Sequence, residues 1–279
     1  MNYQHAFHAG GCADVFKHWV LTLILEKLAL KATPFGVLDT HAGEGLYDLT
    51  GLPAQRTQEY RQGIQKLLSL PDIPTSFHPY LSAVTEAQYG GALHPLRYYP
   101  GSPWIIQHHL REQDALIACE KHPYAFEKLK ETLAGYPNVA LHEQDAYLGL
   151  KAFLPLKQKR GLVLIDPPFE EKNELDQICR HLSSALHCFA QGIIMIWYPI
   201  KHRPPIQRFH DQLRTLMPHK LLITELLQRD DNDAHQLNGN GLAIINPPYL
   251  LDTVLEKDLP WLATQFALGK GARSVIKTP

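Results

Sequence analysis

The apolar residues of this chain fall into short runs, separated by longer stretches in which apolar positions recur with helical spacing. Runs of four to seven residues have the length of buried strands, and helical patterns over residues 14–31, 123–134 and 175–189 precede or separate them. This alternation predicts a doubly wound α/β sheet. The seven predicted strands are residues 35–38, 115–119, 139–142, 161–165, 192–197, 221–227 and 241–246.

The connection between the last two predicted strands indicates the direction of the last one. Residues 228–240 are polar and leave no room for a helix that crosses the sheet. Two strands joined in this way run antiparallel. A mostly parallel sheet of seven strands with one antiparallel strand is the plan of class I, Rossmann-like methyltransferases, so the pattern predicts this α/β fold.

The first two predicted strands are too far apart for a single crossover helix. About seventy residues separate Gly45 from residue 115, where one helix normally suffices. We therefore predict an inserted helical subdomain at residues 48–97, with helices at 57–70 and 79–89. Residues 1–47 and 98–279 form the predicted core, in which the displaced helix lies at 103–111 with Ser102 near its N-cap.

Composition narrows the class of protein without identifying it. The 279 residues have a formal net charge of -1 and 45% hydrophobic residues, which are ordinary values for a soluble globular protein. The apolar segment 19–30 contains Glu26 and Lys27 and is too short to span a bilayer. No signal peptide is visible, and the four cysteines show no CxxC pairing, so we expect a cytoplasmic protein with reduced thiols.

The histidines and cations indicate at most a local surface. His5, His8 and His18 lack the acid or cysteine partners of a convincing ligand set, so we expect no metal. The net charge does not indicate a nucleic-acid-binding protein, because phosphate binding needs a local positive surface rather than a basic total. The candidates for such a surface, each of which could be an ordinary solvated charge, are Lys157, Lys159, Arg160, Lys201, His202, Arg203 and Arg208.

A loop with two glycines follows the first predicted strand. The sequence Asp39-Thr40-His41-Ala42-Gly43-Glu44-Gly45 lets backbone approach a ligand closely, and it lacks the G-x-G-x-x-G spacing of nicotinamide dinucleotide sites. Glu120 ends the second strand, where a carboxylate can accept both hydroxyls of a ribose. Asp145 follows the third strand, where it can bind an adenine amino group. Each acid alone could be a solvent-exposed strand end, but their order favours a site for an adenosine-containing methyl donor.

The most informative motif is Asp166-Pro167-Pro168-Phe169, which directly follows the apolar run 161–165. It places a carboxylate, a backbone carbonyl and a flat ring at the mouth of the sheet. The Asp166 carboxylate and the Pro167 carbonyl can accept the two N–H groups of an aromatic amine, so that its nitrogen can pyramidalise towards a methyl group. Phe169 can stack on the base, a contact worth roughly 1–3 kcal/mol in other base-binding proteins.

A second copy of this pattern, Asn246-Pro247-Pro248-Tyr249, also ends an apolar run. It lies on the last predicted strand, far from the glycine loop. Asp166, by contrast, ends the fourth strand, which is expected beside the first strand at the switch point of the sheet. We therefore interpret the second copy as structural.

Five stretches of sequence form a recognisable set. They are Tyr3-x-His5-x-Phe7-His8-Ala9-Gly10, Ala13-Asp14-Val15-x-Lys17-His18, the sequences 38–43 and 97–103, and Asp166-Pro167-Pro168. With them the chain resembles, along nearly its whole length, the RlmJ family of bacterial adenine-N6 methyltransferases of large-subunit (23S) ribosomal RNA.

The resemblance implies S-adenosyl-L-methionine as the methyl donor, a catalytic role for Asp166 and an influence of Tyr3 on the active site. The donor contacts that it implies are His18, His41, Ser102, Glu120, Asp145 and Asp166. Gly43 and Ala146 lie in the same loops, and Lys17 could close over donor or substrate. Ala146 stands where a glycine is familiar, and Phe169 replaces a tyrosine with loss of only a hydroxyl.

The hypothesis is methylation of N6 of one adenine in 23S ribosomal RNA by a monomer, on naked or early-assembly RNA. The nearest alternative is a DNA adenine-N6 methyltransferase, for which an insertion of about fifty residues is small. Glutamine methylation favours Asn rather than Asp166 at the first motif position. A non-catalytic RNA-binding assembly factor would not need the intact acceptor motif.

Overall fold

A computed structural model describes residues 4–89 and 95–278, and its largest element is a twisted sheet with an apolar core on each face. The strands, in chain order, are β1 (Gly36–Asp39), β2 (Leu46–Asp48), β3 (Tyr98–Pro100), β4 (Ala115–Glu120), β5 (Val139–Glu143), β6 (Gly161–Ile165), β7 (Ile193–Ile200), β8 (Leu221–Leu227), β9 (Gly239–Ile245) and β10 (Arg273–Lys277). All seven predicted strands are present. β2 and β3 form a separate antiparallel pair beside the main sheet.

The main sheet has the order β10-β8-β9-β7-β6-β1-β4-β5. Strands β7, β6, β1, β4 and β5 are parallel neighbours, whereas β9 runs antiparallel to both β7 and β8. The predicted antiparallel strand is therefore confirmed. The predicted count of seven is wrong by one, because β10 adds an eighth strand that is also antiparallel to its neighbour β8. β10 has only two apolar residues, Val275 and Ile276, so it carries no recognisable apolar run.

The helices are α1 (Cys12–Ala29), α2 (Leu52–Thr57), α3 (Glu59–Gln62), α4 (Ile64–Leu68), α5 (His78–Glu86), α6 (Ser102–His109), α7 (Pro123–Thr132), α8 (Ala146–Phe153), α9 (Glu174–Cys188), α10 (Arg203–Leu216) and α11 (Leu251–Gln265). The single helix predicted over 57–70 is wrong, because three short helices, α2, α3 and α4, cover this region. Gln58 breaks it with a φ of 56°. Gly63 breaks it again, since a Cβ there would lie 2.0 Å from the Gly10 carbonyl oxygen.

Helix α1 is enclosed on nearly all sides, as its apolar sequence predicts. It packs against α3, α5 and α6, and the Trp19 ring stacks on Phe77 with centroids 4.3 Å apart. Three of its ionisable side chains, Asp14, Lys17 and His18, are also buried. Buried ionisable groups need partners, so these three side chains indicate a buried polar site next to α1.

The inserted helices α2–α5 do not have a core of their own. Their buried side chains, including Ile64 and Tyr80, belong to the same apolar cluster as those of α1. The division into core and helical subdomain at 48–97 stays a prediction, and residues 90–94 of that segment lie outside the described residues. No helix in the described part of the chain is long and apolar enough to cross a membrane.

A buried aspartate joins the start of β1 to the end of α1. Asp114 accepts hydrogen bonds from the Phe35 N–H at 2.9 Å and from the Arg111 Nε at 2.7 Å. Arg111 in turn donates to the carbonyl oxygens of Ala29, at 3.2 Å, and Lys31, at 2.9 Å.

We expect Asp114→Ala to lower the free energy of unfolding by about 3 kcal/mol, because a buried N–H and a guanidinium lose their acceptor together. Urea unfolding measures this. The neighbouring, exposed Glu112 provides the control, and Glu112→Ala should change stability by less than about 0.5 kcal/mol. Equal losses in the two variants would contradict the assignment.

Candidate active site

A cleft of about 660 Å³ opens at the carboxyl ends of the parallel strands. Because the carboxyl ends of β1, β4, β5, β6 and β7 share one edge of the sheet, residues far apart in sequence meet there. Every predicted site residue in the described part of the chain lines this cleft: Lys17, His18, His41, Gly43, Ser102, Glu120, Asp145, Ala146, Asp166, Pro167 and Phe169. Tyr3 lies outside the described residues.

Glu120 and the glycine loop form one side of the cleft. Gly43 has a φ of +63°, and its N–H donates to Glu120 Oε2 at 2.8 Å, while Glu120 Oε1 accepts from the His122 N–H at 2.7 Å. A Cβ at Gly43 would lie 2.2 Å from the Tyr47 hydroxyl oxygen, so only glycine fits. A carboxylate has about four lone-pair positions. Two remain for hydroxyl groups of a ligand, so this side fits the ribose of an adenosine.

Asp145 stands at the start of α8 and caps it. Its Oδ1 accepts from the Tyr147 N–H at 3.0 Å, and Lys121 donates to its Oδ2 at 3.1 Å. Burial by itself would raise the pKa of Asp145, but the Lys121 and backbone hydrogen bonds outweigh it and lower the pKa. The carboxylate therefore stays charged beside the cleft. Ala146, which follows it, begins α8 with a helical, negative φ.

Three polar residues that line the cleft already make hydrogen bonds to neighbouring side chains of the protein. The Ser102 hydroxyl donates to Asp39 Oδ2 at 2.6 Å, so it orients that carboxyl group. His41 Nδ1 lies 2.8 Å from the Thr40 hydroxyl, and burial lowers the pKa of His41 to about 4. The fully buried His18 meets the Tyr99 hydroxyl through Nδ1 at 2.8 Å.

One ring nitrogen of His18, Nε2, lies 4.0 Å from Asp14 Oδ1. This nitrogen is buried and has no hydrogen-bond partner among the described residues. Burial, followed by the charge on Lys17, holds the pKa of His18 well below its ordinary value. A neutral imidazole with one unpartnered nitrogen in a cleft fits a polar ligand.

Lys17 carries the central charge of the acceptor side. Its ammonium lies between the Asp14 and Asp166 carboxylates, with Asp14 Oδ1 at 2.9 Å, and it contacts Asp166 through Oδ2. Burial would lower the pKa of Lys17, but the two carboxylates outweigh it and raise the pKa above its ordinary value. Lys17 therefore stays protonated, and Asp166 has its second oxygen, Oδ1, available towards the cleft.

Phe169 is held in an uncommon backbone conformation. Its φ is +51°, which costs free energy for a residue with a large side chain. The ring meets the Trp197 indole edge to face, with centroids 5.6 Å apart and planes at 69°. The turn after β6 thus directs this aromatic ring along the cleft towards β7.

Asp14 is a site residue that the sequence reasoning missed. It accepts from the Gly10 N–H at 3.0 Å and lies 2.9 Å from His5 Nε2, in addition to its contact with Lys17. Burial would raise the pKa of Asp14, but His5 and Lys17 outweigh it and hold the pKa well below its ordinary value. The signal was available: an acid, a lysine and a histidine at positions i, i+3 and i+4 of a mostly apolar helix share one face.

The predicted cationic surface is divided in the structure. Lys201 and His202 lie at the cleft, whereas Lys157, Lys159 and Arg208 are exposed elsewhere. Arg203 is not available, because its guanidinium pairs with the buried Glu225 at 2.8 Å and with Asp231. Arg160 donates to the carbonyl oxygens of Thr33 and Leu28. Within residues 4–89 and 95–278, no three His, Cys, Asp or Glu side chains are grouped to hold a metal ion.

The second motif does not reach the cleft. Because β9 is antiparallel, Asn246 emerges at the opposite edge of the sheet. Its Nδ2 donates to the carbonyl oxygens of Ala190, at 3.0 Å, and Gly192, at 2.7 Å. Tyr249 is 84% exposed. The structural interpretation of this motif agrees with these contacts.

The fold and the cleft define the class of protein. A protein with a mostly parallel sheet in this strand order, and with a glycine loop after β1 and an acid after β6 in one cleft, is a Rossmann-like methyltransferase. A family model described as ribosomal RNA large subunit methyltransferase D, RlmJ, matches residues 32–277. The chain belongs to this RlmJ family.

Individual relatives agree with the family assignment. The chain is 39% identical to the ribosomal RNA large subunit methyltransferase J of Haemophilus influenzae and to that of Escherichia coli, over 94% of this chain and 92% of each relative. A crystal structure of a Legionella pneumophila protein is similar with a TM-score of 0.88 and 34% identity, covering 97% of this chain and 98% of that one.

The buried Asp39 makes the stability of the folded protein depend on pH. Burial raises its pKa to about 7, and the Ser102 hydrogen bond offsets this only in part. An unfolded aspartate has a pKa of about 4. Between these values the folded protein retains a proton that the unfolded chain has released, so this group makes stability fall as the pH rises.

We expect Asp39→Asn to remove that loss, because an amide does not ionise. Urea unfolding should show the variant gaining stability relative to the wild type as the pH rises from about 5 to about 8. Asp72→Asn, at an exposed position with a φ of 56°, should show no such trend. A pH-independent difference for Asp39→Asn would contradict the assignment.

Proposed function

We propose that this protein transfers a methyl group from S-adenosyl-L-methionine to N6 of one adenine in 23S ribosomal RNA. The observation that carries the proposal is the position of Asp166-Pro167-Pro168-Phe169 at the end of β6, in the same cleft as the glycine loop after β1. The ribosomal RNA substrate is suggested by the names of the relatives.

We assign one side of the cleft to the methyl donor because of the polar groups that line it. Glu120 would accept the ribose hydroxyls, and Asp145 would accept from the adenine amino group, with Ala146 contributing backbone. His18, through its unpartnered Nε2, and His41 would contact the remaining polar part of the donor. When bound, the donor supplies a methyl group activated by a positively charged sulfur.

The acceptor side would prepare the adenine nitrogen for attack. Asp166 Oδ1 and the Pro167 carbonyl would accept the two N–H groups, while Phe169 holds the face of the base. Lys17 contacts the other carboxylate oxygen, so it would hold Asp166 in a fixed orientation. Positioning of the nitrogen in line with the methyl group would supply most of the remaining rate. The proton leaves the nitrogen after methylation, when the product is acidic.

The state of the RNA follows from access to the cleft. An adenine must be unpaired or extruded to reach Asp166 and Phe169. A finished ribosome hides most such bases, so naked or early-assembly RNA is the proposed substrate.

The test is tritium transfer from labelled S-adenosyl-L-methionine to deproteinised large-subunit RNA, intact subunits, duplex DNA and free protein. Label should appear as N6-methyladenosine in naked RNA. We expect Asp166→Ala to lower kcat roughly 100-fold or more, because a preorganised acceptor for the reacting amine is lost. Donor binding and unfolding, measured in parallel, should show that the variant is folded.

The second motif provides the matched control. Tyr249 follows two prolines as Phe169 does but is exposed away from the cleft, so Tyr249→Ala should transfer label at the wild-type rate. Label in DNA alone would indicate a DNA methyltransferase. Donor binding without transfer to any acceptor would indicate an assembly factor. Label only in intact subunits would contradict the naked-RNA stage.

The donor assignment has its own test. We expect Glu120→Ala to weaken donor binding roughly 10- to 100-fold, the range for lost hydrogen bonds to a charged group. Titration calorimetry with S-adenosyl-L-methionine measures the affinity. Glu143 ends the neighbouring strand β5 and is exposed, so Glu143→Ala should leave the affinity unchanged. Unchanged binding by Glu120→Ala would show that Glu120 is only a strand end.

A further inference from the structure

The cleft continues past Asp166 onto β7, and this part has no counterpart among the predicted site residues. β7 lies beside β6 on the side away from β1. Ile165 pairs with Ile196 in the register of the two strands, so the next residues, Asp166 and Trp197, are neighbours across the sheet. Apart from His18 on α1, the groups assigned to the donor follow β1, β4 and β5, on the other side of Asp166.

The change in side-chain exposure at the carboxyl end of β7 indicates that Trp197 faces the cleft. Residues Ile193 to Ile196 are buried, and then Trp197 and Pro199 become partly exposed while the residues between and after them stay buried. Alternate residues of a strand point to the same face. Trp197 and Pro199 therefore both border the cleft.

Two aromatic rings form a corner next to the Asp166 carboxylate. The Phe169 and Trp197 ring centroids are 5.6 Å apart and their planes meet at 69°. A planar heterocycle that lies against one ring presents its edge to the other. Such edge-to-face arrangements are favourable for aromatic rings.

Asn240 fixes the orientation of the indole. Its Oδ1 accepts from Trp197 Nε1 at 3.3 Å. Asn240 is 1% exposed on β9, and it is paired with Pro199, two residues beyond Trp197. Asparagine is disfavoured in strands, and the rest of this strand after Gly241 is apolar, so a specific polar partner accounts for its presence.

We propose that Trp197 is the second aromatic wall of the acceptor-base site and that Asn240 is its positioning residue. The base enters the corner between Phe169 and Trp197, which directs its exocyclic amine towards Asp166. This inference rests on the proposed function and identifies the part of the cleft that selects a flat base.

The test measures steady-state methylation of deproteinised large-subunit RNA by Trp197→Leu, which keeps an apolar side chain and removes the aromatic face. We expect kcat/KM for RNA to fall roughly 10- to 100-fold, the size of a lost base-stacking contact, mainly through a higher KM for RNA. The dissociation constant for S-adenosyl-L-methionine, measured by calorimetry, should be unchanged. A merely structural role would weaken donor binding as well.

Trp261 offers a matched control, because it is also partly exposed but packs edge to face on Phe77, away from the cleft. Trp261→Leu should keep the wild-type kcat/KM for RNA. An unchanged kcat/KM in Trp197→Leu, with an active wild type, would overturn this inference alone. A wild type that transfers no methyl group to RNA would overturn the proposed function, and the inference with it.

The role of Asn240 is tested by a double-mutant cycle. Asn240→Ala should lower kcat/KM for RNA when Trp197 is present. In a Trp197→Phe background, where no indole N–H exists, Asn240→Ala should cause no further loss. Equal losses in both backgrounds would show that Asn240 acts independently of the indole and would overturn its positioning role.

Discussion

The ammonium group of Lys17, buried between the Asp14 and Asp166 carboxylates, connects the first helix of the chain to the end of β6. Lysine 17 and Asp166 are 149 positions apart in sequence, and only the folded sheet brings them together. Removing one partner of a buried ion pair typically costs about 3–5 kcal/mol, because the other charge stays buried. Asp14 extends the same network to Gly10 and His5. The N-terminal segment is therefore connected to the acceptor side of the cleft through one set of charges, and the geometry of Asp166 depends on how this segment packs.

The order of the strands places the two halves of the site next to each other. β1 lies between β4 and β6, so the loops that follow these strands open into one cleft. Most residues assigned to the donor follow β1, β4 and β5, and those assigned to the acceptor lie on or after β6 and β7, while α1 adds His18 to the donor side and Lys17 to the acceptor side. Because parallel strands all end at the same edge, donor and acceptor groups are neighbours without any movement of domains. The eighth strand, β10, lies at the far edge of the sheet, whereas the small β2–β3 pair supplies Tyr47, which lines the cleft, and Tyr99, whose hydroxyl meets His18.

Several polar side chains in the cleft are already committed to the protein itself. The Ser102 hydroxyl orients Asp39, Asp145 caps α8, and Glu120 holds the backbone of the glycine loop. Such bonds reduce what each group offers a ligand, but they also fix its direction before a ligand arrives. Preorganised polar groups need little rearrangement at the moment of reaction. Arg203 is the opposite case, because its charge is fully used by Glu225 and Asp231.

Local patterns in the sequence determined the α/β class, the positions of the seven main strands and the motif around Asp166, because apolar runs and turn residues act over a few positions. Tertiary contacts determined the features that local sequence patterns do not encode. The 57–70 region breaks into three helices because the Gly10 carbonyl approaches Gly63, and β10 forms because β8 leaves an edge to pair with. The Lys17–Asp166 ion pair and the corner of Phe169 and Trp197 likewise join residues that are distant in sequence. Burial and long-range packing select these partners, and no short stretch of the chain encodes them.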